Sequence, residues 1–175
     1  MVSETGEHHA SATLAPPQGP DSSYQGMRSE KGSFRLADSS ILGMHDEFHD
    51  DIQLQILSMF PGFILQQVHN AIAVRQIVPR GVDATDLNWT YLGFADDSPE
   101  LRTHRLKQCN LVGPAGYVSM EDGAVGGFVQ RGIAAATDEL TVIEMGGSGA
   151  ETQETRATEA SVRAFWKAYR MHMGL

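Results

Sequence analysis

Apolar and polar residues alternate between positions 52 and 60, which predicts a strand with one buried face. One parity holds Ile52, Leu54, Ile56, Ser58 and Phe60, and the other holds Gln53 and Gln55. Pro61-Gly62 then indicates a turn. Further strands are predicted at 63–68 and 72–78, joined near Asn70, and a fourth carries Leu87, Trp89 and Tyr91 on one face. Short turns with no helix between the strands indicate an antiparallel meander.

Helical patterns follow the strands. Ser98-Pro99 is a helix start signal, and one face of the predicted helix carries Leu101, Arg105, Gln108 and Val112 before Gly113-Pro114 interrupts it. A second helix is predicted beyond this break, with a GAVGG segment that weakens it locally and permits close packing. A strand is predicted at 140–145. The chain ends in an amphipathic helix whose expected core stripe is Val162, Phe165, Trp166, Tyr169 and Met173, opposite Arg163, Lys167 and Arg170.

Asp122 is the most informative residue of the second helix, because it shares a stripe with apolar residues. The stripe, spaced four, three, four and four residues apart, is Val118, Asp122, Val125, Val129 and Ile133. A carboxylate removed from water requires donors or a cation. Two interpretations stay open. Asp122 closes a capping box with Ser119, three residues earlier, or it is a metal ligand or acid–base group.

Composition narrows the classes of function. The 175 residues suffice for one core, and the formal charge of -9 argues against a nucleic-acid partner, which would require clustered lysine and arginine. No apolar run is long enough to cross a bilayer, and the first residues lack the pattern of a secretory signal. The single cysteine, Cys109, excludes an internal disulfide framework and suits a reducing cytoplasm.

The histidines offer a weaker metal hypothesis. His45 and His49 are four residues apart in HDEFH, but the zinc signature HExxH needs its acid directly after the first histidine, where Asp46 stands here. A solvated loop or short helix is therefore the expected structure. The other histidines are isolated or lie in a polar leader, and we expect them to be surface or hydrogen-bonded residues.

Three sequence blocks read ILSMFPGFILQQVHNAIAVRQIVPRG (56–81), LNWTYLGFADDSPELRTHRLKQ (87–108) and NLVGPAGYVSMEDGAVGGFVQRG (110–132), and the chain ends with EASVRAFWKAYRMHMG (159–174). Together these blocks resemble the catalytic domain of the alpha subunit of Rieske non-heme iron aromatic-ring-hydroxylating dioxygenases. The third block is the most specific. The resemblance implies that Asp122 is the carboxylate of a two-histidine, one-carboxylate site for mononuclear ferrous iron.

Other residues of that family's metal centres are missing from the sequence. These 175 residues contain no Cys-x-His or Cys-x-x-His pair, which a Rieske [2Fe–2S] cluster requires. They also contain no Asp-x2-His-x4-His motif, which would provide the two iron-binding histidines. We therefore expect the later part of a catalytic domain, truncated at its N-terminal side, that is metal-poor and inactive by itself.

The resemblance also implies a fold, a pocket and partners. The expected fold is α+β of the helix-grip type, with a curved antiparallel sheet, a long C-terminal helix and a cavity for an aromatic substrate. Val112 and Val118 are expected to line that cavity, although both equally suit a plain core position. Expected partners are a beta subunit, ferredoxin or reductase electron donors, and two further alpha subunits in a homotrimer. The closest local matches favour aromatic acids such as salicylate, anthranilate or terephthalate.

The expected organisation is an irregular or partly disordered leader at 1–33, with a strand only at 9–14, followed by the catalytic-domain part at 34–175. Three functional hypotheses stay open. The chain is an oxygenase segment completed by residues outside it, a noncatalytic helix-grip module that binds an apolar or aromatic ligand, or a truncated product without an independent role.

Overall fold

The computed structural model describes residues 2–5, 8–15, 36–136, 138–143, 145–152 and 159–175, the first two ranges as backbone. Its centre is a six-stranded sheet in which every strand is antiparallel to its neighbours and the spatial order follows the sequence. The strands are β1 (Val2–Thr5), β2 (His8–Ala15), β3 (Leu54–Met59), β4 (Phe63–Val68), β5 (Ala71–Pro79) and β6 (Thr85–Leu92). The predicted meander is confirmed.

The first two strands lie in the segment that was expected to be mostly irregular. β2 confirms the strand predicted at 9–14, and it pairs with β3 across Ala10↔Met59 to Ala15↔Leu54. β1 was not predicted; it pairs only with β2. The rest of the expected leader, residues 1, 6–7 and 16–33, lies outside the described residues. A short 3₁₀-helix, Ser39–Leu42, precedes β3.

The first α-helix forms as the sequence predicted. α1 (Pro99–Val112) begins after Ser98, whose hydroxyl accepts a hydrogen bond from the Leu101 backbone N–H at 3.2 Å. Its buried residues are Arg105, Gln108 and Val112. This face packs on β5 and on the 3₁₀-helix, so a helix with two polar residues on its inner face covers one end of the sheet.

The second helix has no buried residue, which contradicts the expected buried stripe within the described part of the chain. Among the described elements, α2 (Tyr117–Ala135) packs mainly against α1, and Val118, Val125, Val129 and Ile133 are 46–63% exposed. The close packing expected at its glycines is also not found, since a Cβ at Gly123 or Gly126 would meet nothing within 4 Å. The apolar spacing was read correctly, but no described element covers that face.

The terminal helix buries a different face from the one predicted. α3 (Ala160–Met173) packs towards β1 and β2, and its buried residues are Ala160, Arg163, Ala164 and Ala168, while Trp166 is 43% exposed. The expected stripe was wrong for Val162, Trp166 and Met173, which are all exposed. Three of the four buried residues are alanines, whose small side chains permit a close approach of the helix backbone to its neighbours.

Arg163 was placed on the solvent side by its charge, but it is buried. Its guanidinium donates hydrogen bonds to the backbone carbonyls of Met145 and Gly149, which satisfies a cation that would otherwise be costly to bury. The strand predicted at 140–145 is also wrong, because 138–143 and Met145 form no strand. Leu140 and Val142 are 99% and 86% exposed, and no described sheet edge pairs with them.

An antiparallel sheet with a long C-terminal helix is the α+β helix-grip arrangement that the resemblance implied. The described residues include no helix that is both long and apolar enough to cross a membrane.

Candidate functional site

A buried ionic group fixes α1 against the loop before β3. Arg105 is 5% exposed, and its Nε donates to Asp97 Oδ2 at 2.8 Å while one terminal nitrogen donates to Asp97 Oδ1 at 2.9 Å. The same guanidinium also donates to Glu47 and to the Asn70 backbone carbonyl. The hydrogen bond from Arg105 holds the pKa of Asp97 below its usual range. Two carboxylates therefore share one buried cation.

An amide network extends this group to the turn between β4 and β5. Gln108 is fully buried; its Oε1 accepts from the Asn70 backbone N–H at 2.9 Å and its Nε2 donates to the Gly43 carbonyl at 2.7 Å. Asn70 in turn bonds both backbone groups of His45, at 2.8 and 2.7 Å. Residues 41–47 are thus held on α1 by side chains that are themselves fully engaged.

His45 and His49 lie in different surroundings of this loop. The His45 ring packs edge-on against His104, with ring centroids 5.1 Å apart, whereas His49 is exposed and 3.4 Å from Asp46. Residues 43–50 form an irregular segment, as their acid-rich sequence predicted. Across the described ranges, no three His, Cys, Asp or Glu side chains are grouped so that they could hold a metal ion.

His69, in the turn between β4 and β5, is expected to make the stability of the fold depend on pH. Burial lowers the pKa of His69 below 6.5, and the nearby His104 lowers it further. Its Nδ1 is buried without a hydrogen-bond partner in the described part of the chain. The unfolded chain therefore takes up the proton more readily, so the contribution of His69 to stability is present above pH 6.5 and is lost as the pH falls towards the folded-state pKa.

We expect the urea concentration at the unfolding midpoint of the wild-type chain to be lower at pH 5.5 than at pH 7.5. The decrease is expected to be smaller in His69→Asn. Asparagine suits the backbone there, since His69 has a φ of 52°. The matched control is His49→Asn, because His49 has a similar φ of 54° but an exposed ring. An equal pH dependence in wild type and His69→Asn would show that the burial of this imidazole is not its cause.

A second polar group lies on the face of β5 and β6 that α1 covers. The strand register places Arg75 directly opposite Trp89, and the Arg75 guanidinium lies over the indole ring, 5.1 Å from its centroid. Trp89 in turn stacks on Tyr91, with centroids 6.1 Å apart and planes 21° from parallel. Burial lowers the pKa of Arg75, and the charge of Asp122 opposes this effect. Arg75 Nε is buried and has no hydrogen-bond partner among the described residues.

Asp122 is therefore an acid whose charge acts on this arginine. It is exposed on α2, and its carboxylate is close enough to act on the Arg75 charge. The capping interpretation is wrong, because α2 begins after Gly116 without a side-chain cap, and Ser119 lies inside the first turn. Its predicted role as an iron ligand stays a prediction.

Tyr91, Cys109 and Gly113 meet where α1 ends above β6. Burial raises the pKa of Tyr91 to about 12, with a further contribution from Cys109, and burial also raises the pKa of the Cys109 thiol. A Cβ on Gly113 would collide with the Tyr91 hydroxyl and the Cys109 carbonyl, so glycine is required at this close approach. Beside this contact is an apolar cavity of about 460 Å³.

The predicted pocket residues do not line this cavity. Its walls are Ala71, Ile72, Tyr91, Leu92, Gly93, Phe94, Ala95, Asp97, Arg102, Arg105, Leu106 and Cys109. Val112 is buried at 7% exposure and Val118 is 46% exposed. Contact of Val112 and Val118 with a substrate stays a prediction.

Comparison with known proteins identifies the relatives of this chain. No protein-family model matches it. Over 176 aligned residues, which cover 99% of the chain, it is 58% identical to the alpha 2 subunit of the terminal oxygenase component of terephthalate 1,2-dioxygenase from Comamonas sp.. The chain belongs to the family of ring-hydroxylating dioxygenase alpha subunits.

Two further relatives agree with this assignment. The chain is 45% identical over 86% of its length to the anthranilate 1,2-dioxygenase large subunit of Burkholderia cepacia. It is 40% identical over 67% of its length to the large oxygenase component of salicylate 5-hydroxylase from Ralstonia sp.. The chain spans 43%, 36% and 28% of the lengths of these three dioxygenase and hydroxylase subunits.

The residues of this alpha-subunit chain do not fit a complete iron site by themselves. Asp122 supplies one anionic oxygen, but its electrostatic neighbour is Arg75, and the described residues bring no pair of imidazoles to it. The sequence pattern did not point to Arg75. Its signal is the single charge inside the mostly apolar strand segment AIAVRQIV, since a buried strand rarely contains an unpaired arginine.

Proposed function

We propose that this chain forms the later part of the catalytic domain of a dioxygenase large subunit that hydroxylates an aromatic acid with O2. The observation that carries the proposal is 58% identity over 99% of the chain to a terephthalate dioxygenase alpha subunit. The names of the other two relatives contain anthranilate and salicylate, which are also aromatic acids.

In this proposal Asp122 is the carboxylate ligand of a mononuclear iron. Two histidines and a Rieske [2Fe–2S] cluster come from residues that these 175 do not contain. Bound ferrous iron would supply the reaction with dioxygen. A single carboxylate holds ferrous iron weakly against water, so the chain alone is expected to be metal-poor and inactive. A beta subunit, ferredoxin or reductase donors and a homotrimer belong to the same proposal.

The polar group on β5 and β6 supports an acid as the substrate. Arg75 is a partly buried cation whose Nε has no partner in the described structure, and it stands beside aromatic rings. A guanidinium in such surroundings favours a planar carboxylate on an aromatic ring, because it donates parallel hydrogen bonds to both oxygens. We propose that the carboxylate of the substrate pairs with Arg75 and that its ring lies towards Asp122.

A chimeric alpha subunit tests the proposal directly. The matching part of the Comamonas subunit is replaced by this chain, and the purified protein is assayed for bound iron and for terephthalate hydroxylation with its electron donors. We expect iron and activity in the chimera, and loss of both in Asp122→Asn. The matched control is Glu121→Gln, which neutralises the neighbouring exposed carboxylate of the same helix. Full iron content and turnover in Asp122→Asn would overturn the ligand assignment.

The same chimera tests the substrate class. Arg75→Met is expected to raise the KM for terephthalate by about tenfold or more, the loss that accompanies removal of one charge-assisted contact. Arg80→Met is the matched control, because Arg80 directly follows the same strand but pairs at the exposed surface with Asp86. An unchanged KM in Arg75→Met would contradict the proposed carboxylate contact.

A further inference from the structure

Trp89 determines where the Arg75 guanidinium can lie. The two residues are direct cross-strand partners on β5 and β6, so their Cα atoms are fixed by the backbone ladder. The guanidinium lies over the indole face at 5.1 Å, and the Tyr91 ring stacks with the same indole, with planes 21° from parallel. The arrangement therefore places a large aromatic surface under a long, otherwise flexible side chain.

The indole face of Trp89 compensates the positive charge of the half-buried Arg75. Removal of a cation from water is costly unless an opposing charge, hydrogen bonds or an aromatic face compensates it. The Asp122 charge acts on Arg75 from α2, but no salt bridge joins them among the described residues, and Arg75 Nε has no hydrogen-bond partner there. The indole face compensates the charge without occupying any N–H donor. The donors stay available to an incoming anion.

We infer that Trp89 is a positioning residue for the recognition of a carboxylate, acting through Arg75. The inference rests on the proposed function, and it adds that the arginine alone is insufficient. Without the indole, the guanidinium is free to swing towards solvent or to collapse onto Asp122, and both movements remove its donors from the substrate. Trp89 itself makes no hydrogen bond to the acid in this arrangement.

The experiment measures binding of terephthalate and of its uncharged diamide to the chimeric alpha subunit by calorimetry. Trp89→Leu keeps apolar volume but removes the aromatic face; we expect it to weaken terephthalate binding by about tenfold. Binding of the diamide is expected to change less than twofold. In steady-state assays the loss is expected in KM, with kcat within twofold. Trp89→Phe, which restores a ring, is expected to recover most of the affinity for terephthalate.

Trp166→Leu is the matched control, because the other tryptophan of the chain lies on α3 and packs against Phe165 and Tyr169. It should leave the affinity for terephthalate unchanged. If Trp89→Leu does not fold, the series tryptophan, tyrosine, phenylalanine at position 89 provides the test, with affinity decreasing in that order.

The outcomes separate the inference from the proposal on which it rests. Terephthalate affinity within twofold of wild type in Trp89→Leu, together with a clear loss in Arg75→Met, would overturn the positioning role and leave the carboxylate contact intact. No loss of affinity in either variant would reject both the positioning role of Trp89 and the carboxylate contact of Arg75. Equal weakening of terephthalate and the diamide would also overturn the inference, because it would indicate a general packing defect.

Discussion

Arg105→Met is expected to lower the free energy of unfolding of this chain by about 3–5 kcal/mol, the loss that follows when one partner of a buried ion pair is removed. The variant leaves two carboxylates, Glu47 and Asp97, in a site where their side chains are 14% and 3% exposed and no other described cation compensates both. It also removes the donor to the Asn70 carbonyl. The loop at 41–47 and the turn after β4 would both loosen.

The measurement is urea unfolding followed by circular dichroism at pH 7. Arg102→Met is the matched control, since Arg102 is exposed on the same helix, and surface substitutions of this kind change stability by about 0.5 kcal/mol or less. Arg105→Lys is expected to fall between the two, because an ammonium group cannot donate to three acceptors in the planar geometry of a guanidinium. A loss below about 1 kcal/mol in Arg105→Met would show that the ionic group contributes little to the fold.

Gly116→Ala is expected to destabilise the chain by about 1–3 kcal/mol, the usual cost of forcing an extra methyl group into a filled space. A Cβ there would lie 2.6 Å from the Gly113 nitrogen and 2.7 Å from the Leu111 carbonyl carbon. Both are backbone atoms that cannot turn aside. The connection between α1 and α2 would have to open, and this connection determines where α2 holds Asp122 relative to Arg75.

Gly126→Ala is expected to stabilise the chain, the opposite of Gly116→Ala, so it serves as the matched control. Gly126 lies inside α2, where a Cβ would meet nothing within 4 Å. Alanine in a helix interior is more favourable than glycine by about 0.5–1 kcal/mol. The two variants add the same methyl group to the same segment, so unfolding curves that shift in the same direction would contradict the steric explanation.

The candidate site was only partly predictable from the sequence. Asp122 was selected because it interrupts an apolar stripe, and its iron ligation stays a prediction. The reason for selecting Asp122 does not hold, because the apolar residues of that stripe on α2 are exposed in the described structure and not buried. Arg75 and Trp89 were not linked, although Trp89 was assigned to the correct strand, because their contact depends on the β5–β6 register, which local alternation does not determine.

Local sequence patterns were enough to predict the strands β3 to β6, the start and buried face of α1, and the family to which the chain belongs. These features depend on local information: side-chain alternation, a serine cap followed by proline, and blocks of residue identity. Three-dimensional contacts were needed to place Arg163 and not Trp166 on the buried side of α3, and to show that 138–143 and Met145 form no strand. Burial and strand pairing depend on which other parts of the chain lie nearby in the folded structure. Hydrophobic spacing along one segment does not show which parts these are.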